Sequence, residues 1–327
     1  MDPEFEKALL SHKPQPLLGD NLLEQRERYN AARVASNNAT SIEQPSQVEA
    51  ITREIPVRDG SGILVRIYRP KCSEDEADTR ALCVMFHGGG WCFGGLENED
   101  VTCRRISESL GIIVINVDYR LAPEHKFPTG IQDAYDAVKW VAANSPSLKA
   151  DPKKGFIIGG ASAGANYAAA ICLALRNVSF YPSITGCFLD TPVVVHPTAV
   201  PKRFEKVYQS YVKNKDSPIL SQKQLEIFFN LYNGEPTSPW FSPLVHPNGH
   251  RGLPPTCFKA CGLDPLLDDA LIYERVLREE GEVVTKLSVY PGVPHSFNSA
   301  FPDLEVSRKW NAETIEGVSW LLGLSTA

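Results

Sequence analysis

The sequence lacks a long apolar run, an excess of basic residues and a secretory leader. No stretch reaches the roughly 18 apolar residues that a membrane-spanning helix needs, so we expect no membrane span. The net charge of −6 gives no electrostatic attraction to nucleic acid or to an anionic membrane, and no nucleic-acid partner is expected. The first residues contain no basic segment followed by an apolar one, so we expect a cytoplasmic protein.

A disulfide framework and a metal centre are also missing. Eight cysteines in a chain of 327 residues do not form a disulfide-dense scaffold, and a reducing compartment fits them better. His246 and His250 flank a short turn without two further ligands, so the sequence predicts no metal, and no cofactor is expected. Cysteines that sit in apolar runs are predicted to be small buried side chains: Cys83, Cys92, Cys172, Cys187 and Cys257.

One short motif dominates what is present. Residues 160–164 read Gly-Ala-Ser-Ala-Gly and stand between an apolar run and an alanine-rich run. A strand, a tight turn and a helix in this order make the G-x-S-x-G pattern a nucleophile elbow with Ser162 at its tip. Small neighbours allow the strand and the helix to approach closely around a strained serine. A serine at a helix start is otherwise an ordinary N-cap, so further residues must decide.

An activated serine needs a histidine base and an acid that orients it, and after this turn the acid precedes the histidine in the chain. Asp264 directly follows a short apolar run, and His295 follows another. The sequence therefore predicts Ser162, Asp264 and His295 as a catalytic triad at one sheet edge. Asp268 and Asp269 are nearby competitors for the acid, and Asp264 could instead cap the following helix.

A glycine-rich segment upstream supplies a possible oxyanion hole. Residues 87–90 read His-Gly-Gly-Gly and follow an apolar run. Glycines let two backbone N–H groups turn towards one point. We predict that Gly89 and Gly90 donate to the oxyanion together with the N–H of Ala163, and that His87 supports the loop by hydrogen bonding.

The organisation of the chain points to an α/β domain. Predicted strands and helices alternate from about residue 81 to residue 195, which implies a mainly parallel sheet covered on both faces. The alternation stops over residues 196–240, which are rich in aromatic residues, and resumes afterwards. We expect a core of residues 46–195 and 241–327, an insertion of residues 196–240, and two helices within residues 1–45.

These motifs together resemble the hormone-sensitive-lipase-like family of α/β-hydrolases, the type IV carboxylesterases. The resemblance spans roughly residues 50–325 and rests on the segments 87–90, 118–125, 160–164, 264–266 and 291–297. It implies an α/β-hydrolase fold with a mainly parallel eight-stranded sheet and a helical lid. The lid is expected to consist of residues 1–45 and 196–240. Two departures stand out, because many relatives have Asp where this chain has Ala161 and Gly where it has Ser296.

The expected activity is hydrolysis of small carboxylic esters of short to medium acyl chain through an acyl-enzyme. The same residues could serve a thioesterase or acyltransferase, or close a lactone in a biosynthetic pathway, and the elbow does not distinguish these outcomes. A receptor role is disfavoured because Ser162, His295 and the glycines are all present. An interfacial lipase is disfavoured because no membrane-binding helix is evident. A monomer or homodimer is expected.

Four aromatic residues are candidates for the substrate pocket. Trp91 and Phe93 follow the glycine segment and are the better candidates for its wall. Tyr208 and Tyr211 lie one helical turn apart in the insertion, a spacing that indicates packing more often than substrate contact.

Overall fold

The computed structural model describes residues 1–11, 21–41, 47–71 and 79–324, without the side chains of residues 36 and 38–41. Parts of the predicted segment 1–45 and of the predicted core therefore lie outside the described residues. The fold class predicted from the sequence is confirmed: the chain has an α/β-hydrolase fold built on a sheet of eight strands. The strands are β1 (Val48–Pro56), β2 (Gly62–Pro70), β3 (Leu82–Phe86), β4 (Ile113–Asp118), β5 (Phe156–Ala161), β6 (Gly186–Asp190), β7 (Thr256–Cys261) and β8 (Thr285–Tyr290).

The sheet is mainly parallel. Its strand order is β1-β2-β4-β3-β5-β6-β7-β8, and β2 runs antiparallel to both of its neighbours. All pairs from β4 to β8 are parallel, so their carboxyl ends meet at one edge. The central strand β3 is buried along its whole length, as expected for a strand covered on both faces.

Helices cover the two faces of the sheet. They are α1 (Pro3–Ser11), α2 (Leu22–Ser41), α3 (Asp100–Leu110), α4 (Thr129–Asn144), α5 (Ala163–Asn177), α6 (Ser210–Lys213), α7 (Gln222–Tyr232), α8 (Leu267–Glu279), α9 (Phe297–Ala300) and α10 (Glu305–Leu321). Among the described helices, none is long and apolar enough to cross a membrane. The expected insertion contains α6, α7 and two single turns of 3₁₀ helix.

Successive residues of the central strand contribute to two separate cores because side chains alternate along a strand. Leu82 and Val84 belong to the core that contains α4, α5 and α8. Cys83 and Met85 belong to the core that contains α3 and α10. The seven described cysteines are free and buried, which confirms the buried thiols predicted from the apolar runs.

Two glycines permit the close contact between α5 and the sheet. A Cβ atom on Gly164 would lie 2.0 Å from the carbonyl oxygen of Phe86, and one on Gly160 would lie 2.5 Å from the backbone of Gly164. Neither position can hold a larger residue without moving the helix. The helix N-terminus is therefore fixed over the end of β5, where the predicted nucleophile lies.

Candidate active site

Ser162 occupies the turn between β5 and α5 in a strained backbone conformation. Its φ of 53° and ψ of −115° lie outside the regions that L-residues normally populate. The backbone N–H of Ser162 donates a 2.8 Å hydrogen bond to the carbonyl oxygen of Asp190 at the end of β6. The side chain is therefore held at the N-terminus of a helix, where the helix dipole stabilises negative charge.

Asp264 and His295 form a buried hydrogen-bonded pair. Nδ1 of His295 and Oδ2 of Asp264 are 2.6 Å apart. The second carboxylate oxygen, Oδ1, accepts a 2.9 Å hydrogen bond from the N–H of Leu266. Asp264 is not the N-cap of α8, which is Leu266 without a side-chain cap. One carboxylate oxygen instead accepts from the turn before the helix, and the other faces the imidazole.

The two competing aspartates face other groups. Asp268 accepts hydrogen bonds from backbone N–H groups at residues 209 and 210. Asp269 is buried and accepts from the N–H groups of Val194 and Val195 at 2.9 and 3.2 Å. Both carboxylates therefore bind backbone between β6 and β7, and neither forms a hydrogen bond with His295.

The pKa of His295 is raised above its ordinary value. Burial is the largest influence and lowers this pKa, but the charge and the hydrogen bond of Asp264 raise it, and Asp190 adds a smaller upward effect. The carboxylate stabilises the imidazolium, which is what a base needs once it has accepted a proton. Ser162 makes no direct hydrogen bond to His295 in the structure, but both line one cavity, and such bonds tighten when substrate arrives.

The glycine segment lies close to Ser162, since a Cβ atom on Gly88 would lie 3.6 Å from the Cβ atom of Ser162. Gly89 and Gly90 have φ values of 122° and 57°, and within the described chain their backbone N–H groups donate to no acceptor. A Cβ atom on Gly89 would lie 2.2 Å from the carbonyl oxygen of Phe93. A Cβ atom on Gly90 would lie 2.5 Å from the ring of Phe228 in α7. The space and the backbone angles at both positions therefore require glycine.

His87 lies beneath this segment rather than in the cavity. Its Nδ1 is 2.8 Å from the carbonyl oxygen of Gly88, and its ring stacks on Tyr119 with centroids 4.2 Å apart. The hydroxyl of Tyr119 donates to the carbonyl oxygen of His87 at 2.7 Å. Burial lowers the pKa of His87 to about 4, so the ring is neutral and acts as a support for the loop.

A cavity of about 360 Å³ opens above Ser162, at the small end of ligand pockets, which run from about 300 to 1,000 Å³. Five of the predicted catalytic and oxyanion residues line it: Gly89, Gly90, Ser162, Ala163 and His295. Asp264 lies behind His295 and is 1% exposed. The structure thus gathers all six predicted catalytic and oxyanion residues at the carboxyl edge of the sheet.

Only one of the four predicted pocket residues lines the cavity within the described chain. Trp91 is a lining residue and stacks on Tyr232 with ring centroids 4.6 Å apart. Phe93 packs edge-on against Phe228 instead, with its ring centroid 5.9 Å away. Phe93 is therefore not a lining residue of this cavity, because its backbone closes around the glycine segment and its ring is buried in the aromatic cluster. Its role in substrate binding stays a prediction.

The two tyrosines of the insertion also contact other residues rather than the cavity, and their role in substrate binding stays a prediction. The hydroxyl of Tyr208 donates to Asp269 at 3.0 Å, and Tyr211 stacks on Tyr208 with centroids 6.4 Å apart. Neither residue lines the described cavity. Their spacing of one helical turn serves packing against α8, the alternative that was favoured from the sequence.

An N-terminal helix also reaches the site. Nε of Arg26 in α2 donates to the carbonyl oxygen of Cys92 at 2.8 Å, and its guanidinium also donates to Ala122 and Glu124. Two other residues of α2, Tyr29 and Arg33, line the cavity. These contacts anchor α2 to the residues that follow the glycine segment.

Two carboxylates in the cavity were not predicted from the sequence. Glu99 directly precedes α3 and Asp190 ends β6, and both are lining residues. Burial, and then the charge of Asp190, raise the pKa of Glu99 to about 7. Burial also raises the pKa of Asp190. No sequence motif marks these two positions.

The chain is similar to known α/β-hydrolases in both sequence and structure. A family described as alpha/beta hydrolase fold matches residues 83–299. An AB hydrolase superfamily protein of Schizosaccharomyces pombe is 36% identical over 98% of this chain and 94% of its own length. A versiconal hemiacetal acetate esterase of Dothistroma septosporum is 34% identical over 81% of this chain and 79% of its own length. A crystal structure of vibralactone cyclase superposes with a TM-score of 0.93 at 36% identity, over 98% of this chain and 94% of that one.

Proposed function

Because this chain belongs to the hormone-sensitive-lipase-like branch of the α/β-hydrolase family, we propose that Ser162, His295 and Asp264 hydrolyse carboxylic esters. The protein is a serine hydrolase of the carboxylesterase type. The observation that carries the residue assignment is the strained Ser162 in one cavity with His295, whose imidazole is held by Asp264 at 2.6 Å.

The first half of the reaction forms an acyl-enzyme. Neutral His295 takes the hydroxyl proton of Ser162 as its oxygen attacks the ester carbonyl carbon. The carbonyl oxygen becomes an oxyanion and is stabilised by the N–H groups of Gly89, Gly90 and Ala163. The imidazolium of His295 then gives its proton to the leaving alcohol as the bond between the carbonyl carbon and the alcohol oxygen breaks.

The second half releases the acid. His295 takes a proton from a water molecule, whose oxygen attacks the acyl carbon, and a second oxyanion forms in the same place. The proton returns to Ser162 as the acyl bond to its oxygen breaks. Asp264 holds the imidazole in the tautomer with the proton on Nδ1 throughout, and stabilises the cation when it forms.

A series of p-nitrophenyl esters from acetate to palmitate tests this proposal with the wild type and Ser162→Ala in parallel. We expect the rate to be highest for short to medium acyl chains, because the cavity is small. Ser162→Ala is expected to lose several orders of magnitude in kcat with an unchanged circular dichroism spectrum. A folded Ser162→Ala variant with near-wild-type activity would disprove the assignment.

Lactone formation is the second candidate, and the similarity to the vibralactone cyclase structure favours it. In that reaction a hydroxyl group within the acyl chain replaces water and attacks the acyl carbon of the acyl-enzyme. Mass spectrometry of products from a hydroxyacyl thioester distinguishes the two outcomes. A lactone product, or an ester formed with an added alcohol, supports transfer, whereas free acid alone supports hydrolysis.

Three further expectations remain part of this proposal. Residues 1–45 and 196–240 act as the lid; the contacts of α2 with Cys92 and of α7 with Gly90 support this assignment. The protein is a monomer or homodimer. It is located in the cytoplasm, where its buried free thiols are stable.

A further inference from the structure

Two acidic residues line the same cavity as Ser162. Glu99 borders it from the start of α3, and Asp190 borders it from the end of β6. We name this part of the cavity the carboxylate chamber, defined by these two residues. The proposed mechanism uses neither of them, although both share a cavity with Ser162 and His295.

The charge of the carboxylate chamber is balanced. Arg33 in α2 acts electrostatically on Glu99, and Lys259 in β7 acts on Asp190. Lys259 is buried, with its Nζ donating to Oγ1 of Thr314 at 2.8 Å. These cationic groups offset the carboxyl groups, so the chamber has no excess of negative charge to attract a cation. A substrate ammonium group is therefore disfavoured as the occupant, and a neutral polar group is favoured.

Both carboxyl groups retain hydrogen-bonding capacity. Within the described residues, the carboxylate of Asp190 accepts two long hydrogen bonds, from Thr191 at 3.2 Å and from Trp310 at 3.3 Å, while a carboxylate has about four lone-pair sites. Glu99 interacts with the backbone of Gly88 and the side chain of Thr102, which leaves part of its four lone-pair sites available. Its raised pKa of about 7 means that the carboxyl group is partly protonated near neutral pH. It can then donate a hydrogen bond as well as accept one.

We propose that Glu99 and Asp190 determine specificity by binding a hydroxyl group of the substrate. The preferred substrates are thus esters that carry a free hydroxyl group in addition to the ester that is cleaved. A hydroxyl group suits the carboxylate chamber because it is neutral and both donates and accepts. An apolar group there would leave the remaining lone pairs of these carboxyl groups unpaired, which costs free energy. This inference rests on the proposed ester hydrolysis.

Two isosteric pairs of esters test the inference, because each pair exchanges one methyl for one hydroxyl group. On the acyl side, p-nitrophenyl 3-methylbutyrate is compared with p-nitrophenyl 3-hydroxybutyrate. On the alcohol side, propyl butyrate is compared with 2-hydroxyethyl butyrate, with acid release measured by titration. We expect kcat/KM to favour the hydroxyl member of at least one pair by about tenfold or more, the effect of one hydrogen bond to a charged group.

Variants of Glu99 test whether the preference for the hydroxyl ester arises in the carboxylate chamber. Glu99→Leu is expected to reduce the preference to about threefold or less, because kcat/KM falls more for the hydroxyl member of a pair than for the methyl member. Glu316→Leu, the same exchange at an exposed position of α10, is the matched control and keeps the wild-type preference. Glu99→Gln preserves the volume of the side chain and can still donate and accept hydrogen bonds, so it is expected to keep part of the preference. It replaces Glu99→Leu in the test if that variant does not fold.

The outcomes separate this inference from the proposed function. Equal turnover of both members in both pairs by the wild type overturns the inference and leaves ester hydrolysis intact. An unchanged preference in Glu99→Leu, or a complete preference in Glu99→Gln when Glu99→Leu does not fold, also overturns it. Failure of the wild type to cleave any of the four esters instead overturns the proposed function.

Discussion

Replacing Asp264 by asparagine tests how the proposed base is held, and the structure specifies what the substitution does. Oδ1 of Asp264 accepts from the N–H of Leu266 at 2.9 Å, so the amide oxygen of asparagine must occupy that position. The amide NH₂ group then faces Nδ1 of His295, which lies 2.6 Å from the present Oδ2. Nδ1 can only accept from this group, and the imidazole proton moves to Nε2.

A histidine with its proton on Nε2 cannot accept the proton of Ser162. We therefore expect Asp264→Asn to lower kcat by a factor of about 10⁴, which is the effect of the wrong tautomer in triad enzymes. The pKa of His295 also falls, because the upward effects of the Asp264 charge and hydrogen bond are lost while burial still lowers it. Since the base works only when neutral, the fall of kcat/KM at low pH shifts to lower pH.

Rates of p-nitrophenyl butyrate hydrolysis measured from about pH 5 to about pH 9 give both quantities. Asp268→Asn is the matched control, because Asp268 holds backbone N–H groups at residues 209 and 210 and is expected to leave the pH profile unchanged. The reasoning is refuted if Asp264→Asn keeps more than about a tenth of the wild-type kcat. It is equally refuted if the acid limb stays in place or shifts to higher pH.

Two other substitutions probe the walls of the site. Gly90→Ala is expected to lower kcat by a factor of about 100 to 1,000. The φ of 57° disfavours alanine, and its Cβ atom would lie 2.5 Å from the ring of Phe228, so the backbone must shift and one oxyanion donor is displaced. Kinetics with p-nitrophenyl butyrate measure this effect, and a rate within threefold of wild type contradicts it. Arg26→Ala is expected to raise KM and to lower the free energy of unfolding by about 1–2 kcal/mol, because two partly buried carbonyl oxygens lose their donor. Urea denaturation measures this loss of stability. An unchanged denaturation midpoint would contradict an anchoring role for α2.

Much of the fold was predictable because each parallel strand is a short apolar run with a helix after it. The central strands are buried on both faces, so their sequences are apolar throughout, and the end of each run marks the active edge of the sheet. This is why Ser162, Asp264 and His295 could be ordered along the chain. The packing of the insertion around the site was less predictable, because whether an aromatic residue faces a cavity or another ring depends on packing between distant segments. Phe93 shows this, since it follows the oxyanion glycines but turns towards Phe228.

The acidic run before α3 explains why the carboxylate chamber has no signature in the sequence. Residues 97–100 read Glu-Asn-Glu-Asp, and acidic residues at a helix start are common because the helix dipole favours them. Glu97 and Asp100 follow this expectation by pairing with Arg66 at 2.7 and 2.8 Å. Glu99 lies between them in sequence but lines the cavity, where its partner in the chamber is Asp190, on a different strand. The helical turn sends neighbouring side chains in different directions, so only the packed structure separates the carboxyl group available to a substrate from those that hold the fold.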